Sequence, residues 1–482
     1  MKPDNLSALS SNSLTNPESI LSRNDKMPIN KKVLGLILLL QLVIFLVTLL
    51  SPIKISLAMI LGMSTLIFIL FYHSPLVATF ILTLFIAIVL PRPTGRSFIF
   101  KIEEIFPILA FLFLMVNIIR DDYNRKGIGK AGFWLGGFLL VVFISAIIGL
   151  INGRGTILVW DELMMFLYWG IFFIVIKSKL SEKHIKHIFW AILISALIVS
   201  LYYIFEFKII GFKDRFRTDQ QHIFNFTIPL LFAILLYDTN KSRKILAVLM
   251  MIPMIVAVYI TLTRALWVLV PLAILLQYMY YIKDTTRGKK IMVYLLPIFI
   301  IAVLAFLGII LLQAIPGVQD MLGGRFATFG VLEYDISLLA RAELGQYVLQ
   351  RVSTAPFFGT GLGDFLRYQY FSTLGRYNVY WLDHTYLQIL WKTGIIGSIL
   401  FFGFLIVFFK RAWFVLKNST TPLDKIISSS VFFSILALAL SSLQCGILVG
   451  YRFNFVWAIL MGIIVLKAQE LKKQQVELES TA

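Results

Sequence analysis

Fourteen stretches of mostly apolar residues follow one another along this 482-residue chain. They fall near residues 33–50, 55–71, 75–91, 105–119, 133–151, 163–177, 187–204, 222–237, 245–262, 266–282, 291–313, 386–409, 426–443 and 450–467. A helix needs roughly 20 such residues to cross the hydrocarbon core of a bilayer. Inside that core every backbone N–H and C=O must be satisfied internally, so an open chain crosses as helices. The expected fold class is therefore all-α, a polytopic membrane protein with about 12–14 transmembrane helices, the lower figure allowing for short neighbours that merge. Ser51-Pro52, Ser74-Pro75 and Pro91–Pro93 mark breaks, since proline cannot continue a helix cheaply.

Composition agrees. The chain is 59% hydrophobic and 14% charged, with a mean hydropathy of +0.87, which is too apolar for a soluble core. A net charge of +19 would suggest nucleic acid in a soluble protein. Here no soluble domain carries that charge, and cytoplasmic loops of membrane proteins collect Lys and Arg, so no nucleic-acid partner is expected. Cys445 is the single cysteine, which excludes an intramolecular disulfide and a cysteine metal cluster. Residues 1–32 are rich in Ser, Asn and Pro without an apolar run, and read as a disordered cytoplasmic tail with no cleavable signal. The expected order is that tail, transmembrane helices over 33–313, an extracytoplasmic loop over 314–385, transmembrane helices over 386–467 and a second cytoplasmic tail over 468–482.

With the N-terminus inside, alternation through fourteen spans leaves 27 Lys and Arg on the cytoplasmic side and 17 outside, of the 44 in the chain. Both termini are then cytoplasmic, as the positive-inside rule requires. The two sides differ in residue type: 21 Lys and 6 Arg inside, against 5 Lys and 12 Arg outside. A planar guanidinium suits bidentate pairing with phosphate or carboxylate. The outer arginines thus point either to ion pairs with outer acids such as Asp161, Glu162, Glu206, Asp214 and Asp219, or, as a set, to a polyanionic ligand.

The long outer loop holds an amphipathic stretch, Ser337 to Val352, with the pattern of a helix lying on the membrane or over a cavity. Pro356 to Phe365 follows, with glycines at 359, 361 and 363 that mark a tight, irregular backbone. Ionisable residues at membrane depth are costly and are functional candidates. Arg217 precedes a span, Arg264 sits between two spans, Arg341 lies on the loop stretch, and Asp383-His384 opens the span after the loop. All fall on the outer side. A histidine near its ordinary pKa can take a proton from a hydroxyl; His184, His187 and His73 face the cytoplasm, leaving His384 and its rival His222, near Arg217. No cluster shows convincing metal-ligand spacing.

Thr263-Arg264-Ala265, Arg341, the Pro356–Phe365 turn, and Asp383-His384-Thr385-Tyr386-Leu387-Gln388 with Gly394 and Gly397 together resemble the O-antigen ligase/polymerase superfamily of bacterial membrane glycosyltransferases. The resemblance covers roughly residues 210–410. It implies a GT-C-like enzyme of the bacterial inner membrane, working on the periplasmic face without metal or cofactor and with inversion. The implied donor is a polyprenyl-diphosphate-linked glycan and the acceptor a lipid-linked glycan or lipid A core, with a chain-length regulator as a further partner. By position, Arg217, Arg264 and Arg341 would bind the diphosphate, and His384 or Asp383 would be the catalytic base. Ligases of this family carry His-Asn where this chain has Asp383-His384, a departure closer to the polymerases. A transporter with an arginine-lined cavity is the competing class, though no internal repeat is seen. A lipid-II-type glycosyltransferase would need an essential outer carboxylate, such as Asp364 or Asp161.

Overall fold

The computed structural model describes residues 75–89, 127–210, 219–261, 263–285, 336–369, 376–443, 446, 448 and 453–481. All lie in one compact unit, residues 74–482. The spans expected at 33–50, 55–71, 105–119 and 291–313, the 1–32 tail, Cys445 and Arg217 lie outside the described residues.

The chain is an all-α polytopic membrane protein. Its described helices are α1 (Pro75–Val89), α2 (Gly129–Ile151), α3 (Thr156–Leu167), α4 (Ile171–Lys177), α5 (Glu182–Ile210), α6 (Phe224–Tyr237), α7 (Lys241–Ile260), α8 (Arg264–Thr285), α9 (Ile336–Ser353), α10 (Thr385–Asn418), α11 (Pro422–Ser441) and α12 (Phe453–Thr481). Among the described residues nine helical segments are long and apolar enough to cross a membrane, with α3 and α4 forming one of them through the 3₁₀ turn Tyr168–Gly170. Each expected span within the described residues is a helix. The span expected at 163–177 begins seven residues earlier, at Thr156, because Gly153 (φ +70°) and Gly155 turn the chain tightly after α2. Two of the helix starts carry side-chain caps: Asn240 accepts from the Ser242 and Arg243 N–H groups, and Thr421 from that of Asp424, with Pro422 in the first turn.

Helix α12 is buried around its whole circumference, from Phe453 to Leu466, as befits the helix at the centre of a bundle. It packs on α4 and α10. An aromatic layer joins α2, α4 and α10: Phe138 and Phe401 lie 5.1 Å apart, Trp169 and Phe404 5.9 Å, and Phe172 and Phe404 5.4 Å. Residues 468–481, expected as a tail, continue α12 as helix. Their composition is rich in Gln, Glu, Lys and Leu, all good helix formers, and Lys473 pairs with Glu477 one turn on at 3.2 Å.

The amphipathic stretch is α9, which packs on α10 and on the segment Leu366–Gln369. Val348 and Val352 are its buried stripe, packed with Leu366, Leu382 and Trp391. Leu339, Tyr347 and Leu349 face outward. An antiparallel hairpin not foreseen in the all-α reading follows: β1 (Leu366–Gln369) pairs with β2 (Arg376–Val379), Arg367 opposite Asn378. It is too short to show in sequence, and it gains stability by laying Leu366 on α9.

Candidate functional site

Helix α10 carries most of the loop-end geometry. It breaks at Gly394, whose φ of +67° and ψ of −168° no L-residue adopts easily. A break inside the membrane orphans backbone groups, and the Pro356–Phe365 turn supplies their partners. The N–H groups of Ile395 and Ile396, diverted from their helical acceptors, donate to the carbonyls of Pro356 (2.8 Å) and Phe357 (3.2 Å). The Trp391 carbonyl accepts from the Thr360 N–H at 3.0 Å and the Thr360 hydroxyl at 3.3 Å. On its other side the turn lies on α2, where the Leu362 N–H donates to the Ser145 carbonyl at 2.9 Å. Backbone meets backbone here, so Gly361 (φ +88°) has no room for a side chain: a Cβ would lie 2.6 Å from the Gly149 nitrogen. Irregular backbone survives at membrane depth because protein encloses it.

A buried ionic cluster fixes this turn. Lys392 is fully buried and donates to the Glu162 Oε1 at 2.7 Å and to the Asp364 carbonyl. The other oxygen of Glu162 accepts from the Gly363 N–H at 2.8 Å. The Asp364 carboxylate, also fully buried, accepts from Arg351 through Nε (3.1 Å) and Nη2 (3.2 Å), from the Trp391 indole at 3.0 Å, and from Arg154. Burial alone would raise the Asp364 pKa. Donors from Arg351, Thr360 and Trp391, with the Arg351 charge, outweigh it and hold the carboxyl below the usual range. The same contact raises the Arg351 pKa. A carboxylate so enclosed and saturated has no lone pair to offer a substrate, which argues against Asp364 as an essential catalytic carboxylate.

Of the residues expected to act, the structure brings three together at the start of α10. Arg341, on α9, pairs with Asp383 at 3.3 Å, both partly or largely exposed. His384 is the N-cap of α10, its Nδ1 accepting from the Leu387 N–H at 3.3 Å. With Nδ1 so committed, the neutral ring carries its proton on Nε2 and presents a donor. Burial pushes its pKa down, only partly offset by its own backbone hydrogen bond. The rest of the Thr385–Gln388 motif holds this pair in place. Gln388 accepts from the Leu382 N–H (3.0 Å) and donates to the Tyr380 carbonyl (3.4 Å), while the Tyr386 hydroxyl donates to the Ala439 carbonyl of α11 at 2.7 Å.

Of the remaining expected residues, His222 is the one whose side chain is described. His222 lies in the 3₁₀ turn Asp219–Ile223 and packs edge-on against Phe453, ring centroids 6.3 Å apart. Beside it, Gln221 accepts from the Thr263 hydroxyl at 2.8 Å. This bond joins the segment that follows Arg217 to the residue that precedes Arg264. Arg264 is the first residue of α8, and its side chain lies outside the described set. Among the described residues no three His, Cys, Asp or Glu side chains gather as a metal site.

Sequence reasoning missed the roles of Arg154, Arg351, Lys392 and Trp391, and read Glu162 only as a loop acid. A signal existed: Lys392 is the one charge inside the apolar run 386–409, and an intramembrane charge calls for a named partner. Which acid answers it depends on how the turn enters the bundle, which the linear order does not reveal.

Residues 246–402 match the family model described as O-antigen ligase. The match runs from α7 through the broken part of α10, and so takes in Arg264, Arg341, Asp383 and His384 but not His222. It bears out the superfamily resemblance and supports a membrane glycosyltransferase of the O-antigen ligase/polymerase type. No curated protein matches the chain.

Proposed function

We propose, from the O-antigen ligase relationship of residues 246–402, that this protein transfers a glycan from a polyprenyl (undecaprenyl) diphosphate to a sugar hydroxyl at the outer face of the bacterial inner membrane. The observation that carries the reading is the convergence of Arg341, Asp383 and His384 at the mouth of α10, within the matched region. Charge asymmetry puts that end outside. Lipid-linked donors and a membrane setting follow from the family.

The chemistry needs a base for the acceptor hydroxyl and positive donors for the leaving diphosphate. As the acceptor oxygen attacks the anomeric carbon from the face opposite the diphosphate, the C–O bond to phosphate breaks and its electron pair leaves on the diphosphate, inverting the centre. Arg217, Arg264 and Arg341 are assigned to that developing charge, fixed guanidiniums serving where a metal ion could otherwise act. The Arg341–Asp383 pair is exposed, and such pairs contribute about 0–1 kcal/mol, so a diphosphate can displace the carboxylate. Asp383 is then freed to accept the hydroxyl proton. His384, with Nδ1 held by the cap, orients the acceptor through Nε2–H. This division also suits the register, which puts Asp383 where ligases have histidine.

Polymerisation of lipid-linked repeat units is the favoured reaction, on the strength of Asp383-His384 in place of His-Asn; transfer to lipid A core is the second reading. Purified protein, lipid-linked repeat unit and EDTA test this directly. A product ladder from the lipid-linked unit alone supports polymerase. Product only when lipid A core is added supports ligase. Asp383→Ala should abolish transfer, whereas His384→Ala should mainly raise KM for the acceptor; full activity in Asp383→Ala would overturn the assignment of the base.

A further inference from the structure

The outward face of the β1–β2 hairpin carries groups that the transfer reaction does not use. The Phe365 and Tyr380 rings lie 5.5 Å apart, their planes inclined at 46°. The guanidiniums of Arg154 and Arg367 lie 5.6 Å and 6.0 Å from the centre of the Phe365 ring. Arg367 is exposed, as is Asn378 opposite it in the register. Below this face, Nε and Nη2 of Arg351 on α9, and one amino group of Arg154, donate to Asp364. Among the described residues no other carboxylate pairs with these three arginines. Two guanidiniums thus share one buried carboxylate and Arg367 stands apart from it, leaving two positive charges in excess beside aromatic rings. Each arginine has five donors, most of them not engaged by Asp364.

We propose that this face is a binding platform for an anionic saccharide, one bearing carboxylate or phosphate groups, separate from the diphosphate site. Aromatic rings offer apolar faces to the C–H side of a pyranose, and guanidiniums beside them take its negative groups in bidentate fashion. A lipid headgroup site would combine charge with aliphatic side chains for the acyl region; the named residues of this face are aromatic, amide and guanidinium. Its position is suggestive too. Arg351 and Arg341 are ten residues apart on α9, about 15 Å along the helix axis. A glycan held at one end of α9 can therefore extend toward Asp383 at the other.

Binding alone tests this, without reference to transfer. Protein in nanodiscs of zwitterionic lipid is titrated with a uronic-acid oligosaccharide and with a neutral glucan of equal length, following tryptophan fluorescence and calorimetric heat. Arg367→Gln and Tyr380→Leu are the informative variants, because neither side chain touches Asp364; unchanged melting temperatures confirm that they fold. The uronate should bind and the glucan should not. Arg367→Gln should weaken binding about tenfold, the loss of one charge-assisted contact, and added salt should weaken it further. Equal binding of both oligosaccharides, or an unchanged Kd in Arg367→Gln, overturns the proposal. So does loss of uronate binding in nanodiscs containing phosphatidylglycerol, which would mark a headgroup site. An inactive transferase that still binds uronate would leave this inference standing and remove only the reading of the reaction.

Discussion

Replacing Lys392 by Met should be among the most damaging single changes in the protein, and adding Glu162→Gln should repair most of the damage. Both side chains are buried, Lys392 fully and Glu162 at 2% exposure, with Nζ and Oε1 at 2.7 Å. At that distance the gross attraction is roughly 6 kcal/mol for an effective dielectric of 20, much of it offset by desolvation. Removing one member of such a pair strands a charge and costs about 3–5 kcal/mol. The double variant strands none, and the amide oxygen introduced by Glu162→Gln can still accept from the Gly363 N–H. It should lie within about 1 kcal/mol of wild type, so adding Glu162→Gln to Lys392→Met should recover about 2–4 kcal/mol. Denaturant unfolding in detergent, followed through Trp391, whose ring lies 4.0 Å from Nζ, measures all four proteins. Additive losses, or a Lys392→Met variant as stable as wild type, would refute the claim that this pair holds the turn to α10.

Other outcomes follow from the same geometry. Gly361→Ala should cost about 2–5 kcal/mol, combining left-handed strain with overpacking against Gly149. Gly153→Ala, at φ +70° with nothing within 4 Å, should cost only about 1–2 kcal/mol, and equal melting temperatures for the two would contradict the packing described. Since the folded protein holds the His384 pKa below 6.5, the unfolded chain takes up a proton first as pH falls. Stability should be unaffected above that value and decline as pH drops below it. His384→Asn keeps a good N-cap and should erase that decline; an unchanged pH profile would count against the cap geometry. Asp364, with its pKa held below 3.8, contributes stability above that value which is lost as pH falls through its folded value. Arg351→Gln should move this acid unfolding to higher pH.

The spans were legible because length and apolarity suffice to mark a helix that crosses a bilayer. The loop helix was legible from its period, and the Thr385–Gln388 motif from its polar residues at the mouth of an apolar run. The all-round burial of α12 was not, since an apolar run facing lipid reads like one facing protein. Nor was the turn's entry into the bundle, although its glycines announced an unusual backbone. Alternate glycines at 359, 361 and 363 state that side chains are excluded, not which helices exclude them. The pairing of Arg351 and Arg154 with Asp364 joins residues up to 210 positions apart in the chain, a distance at which composition carries no register. Arg341 and Asp383 are each marked by the sequence, but their contact at 3.3 Å joins residues 42 positions apart and is not readable from it.

Arginine-assisted departure of a diphosphate is the step on which the proposed reaction depends. The decisive measurement is single-turnover transfer from a polyprenyl-diphosphate-linked repeat unit in nanodiscs, with EDTA throughout, comparing wild type, Arg264→Ala and Arg264→Lys. Wild type should form product. Arg264→Ala should form none while folding normally, and Arg264→Lys should remain severely impaired, because an ammonium cannot reproduce a bidentate fork. Wild-type rates in Arg264→Ala, or transfer by wild type only after Mg²⁺ or Mn²⁺ is restored, would contradict it.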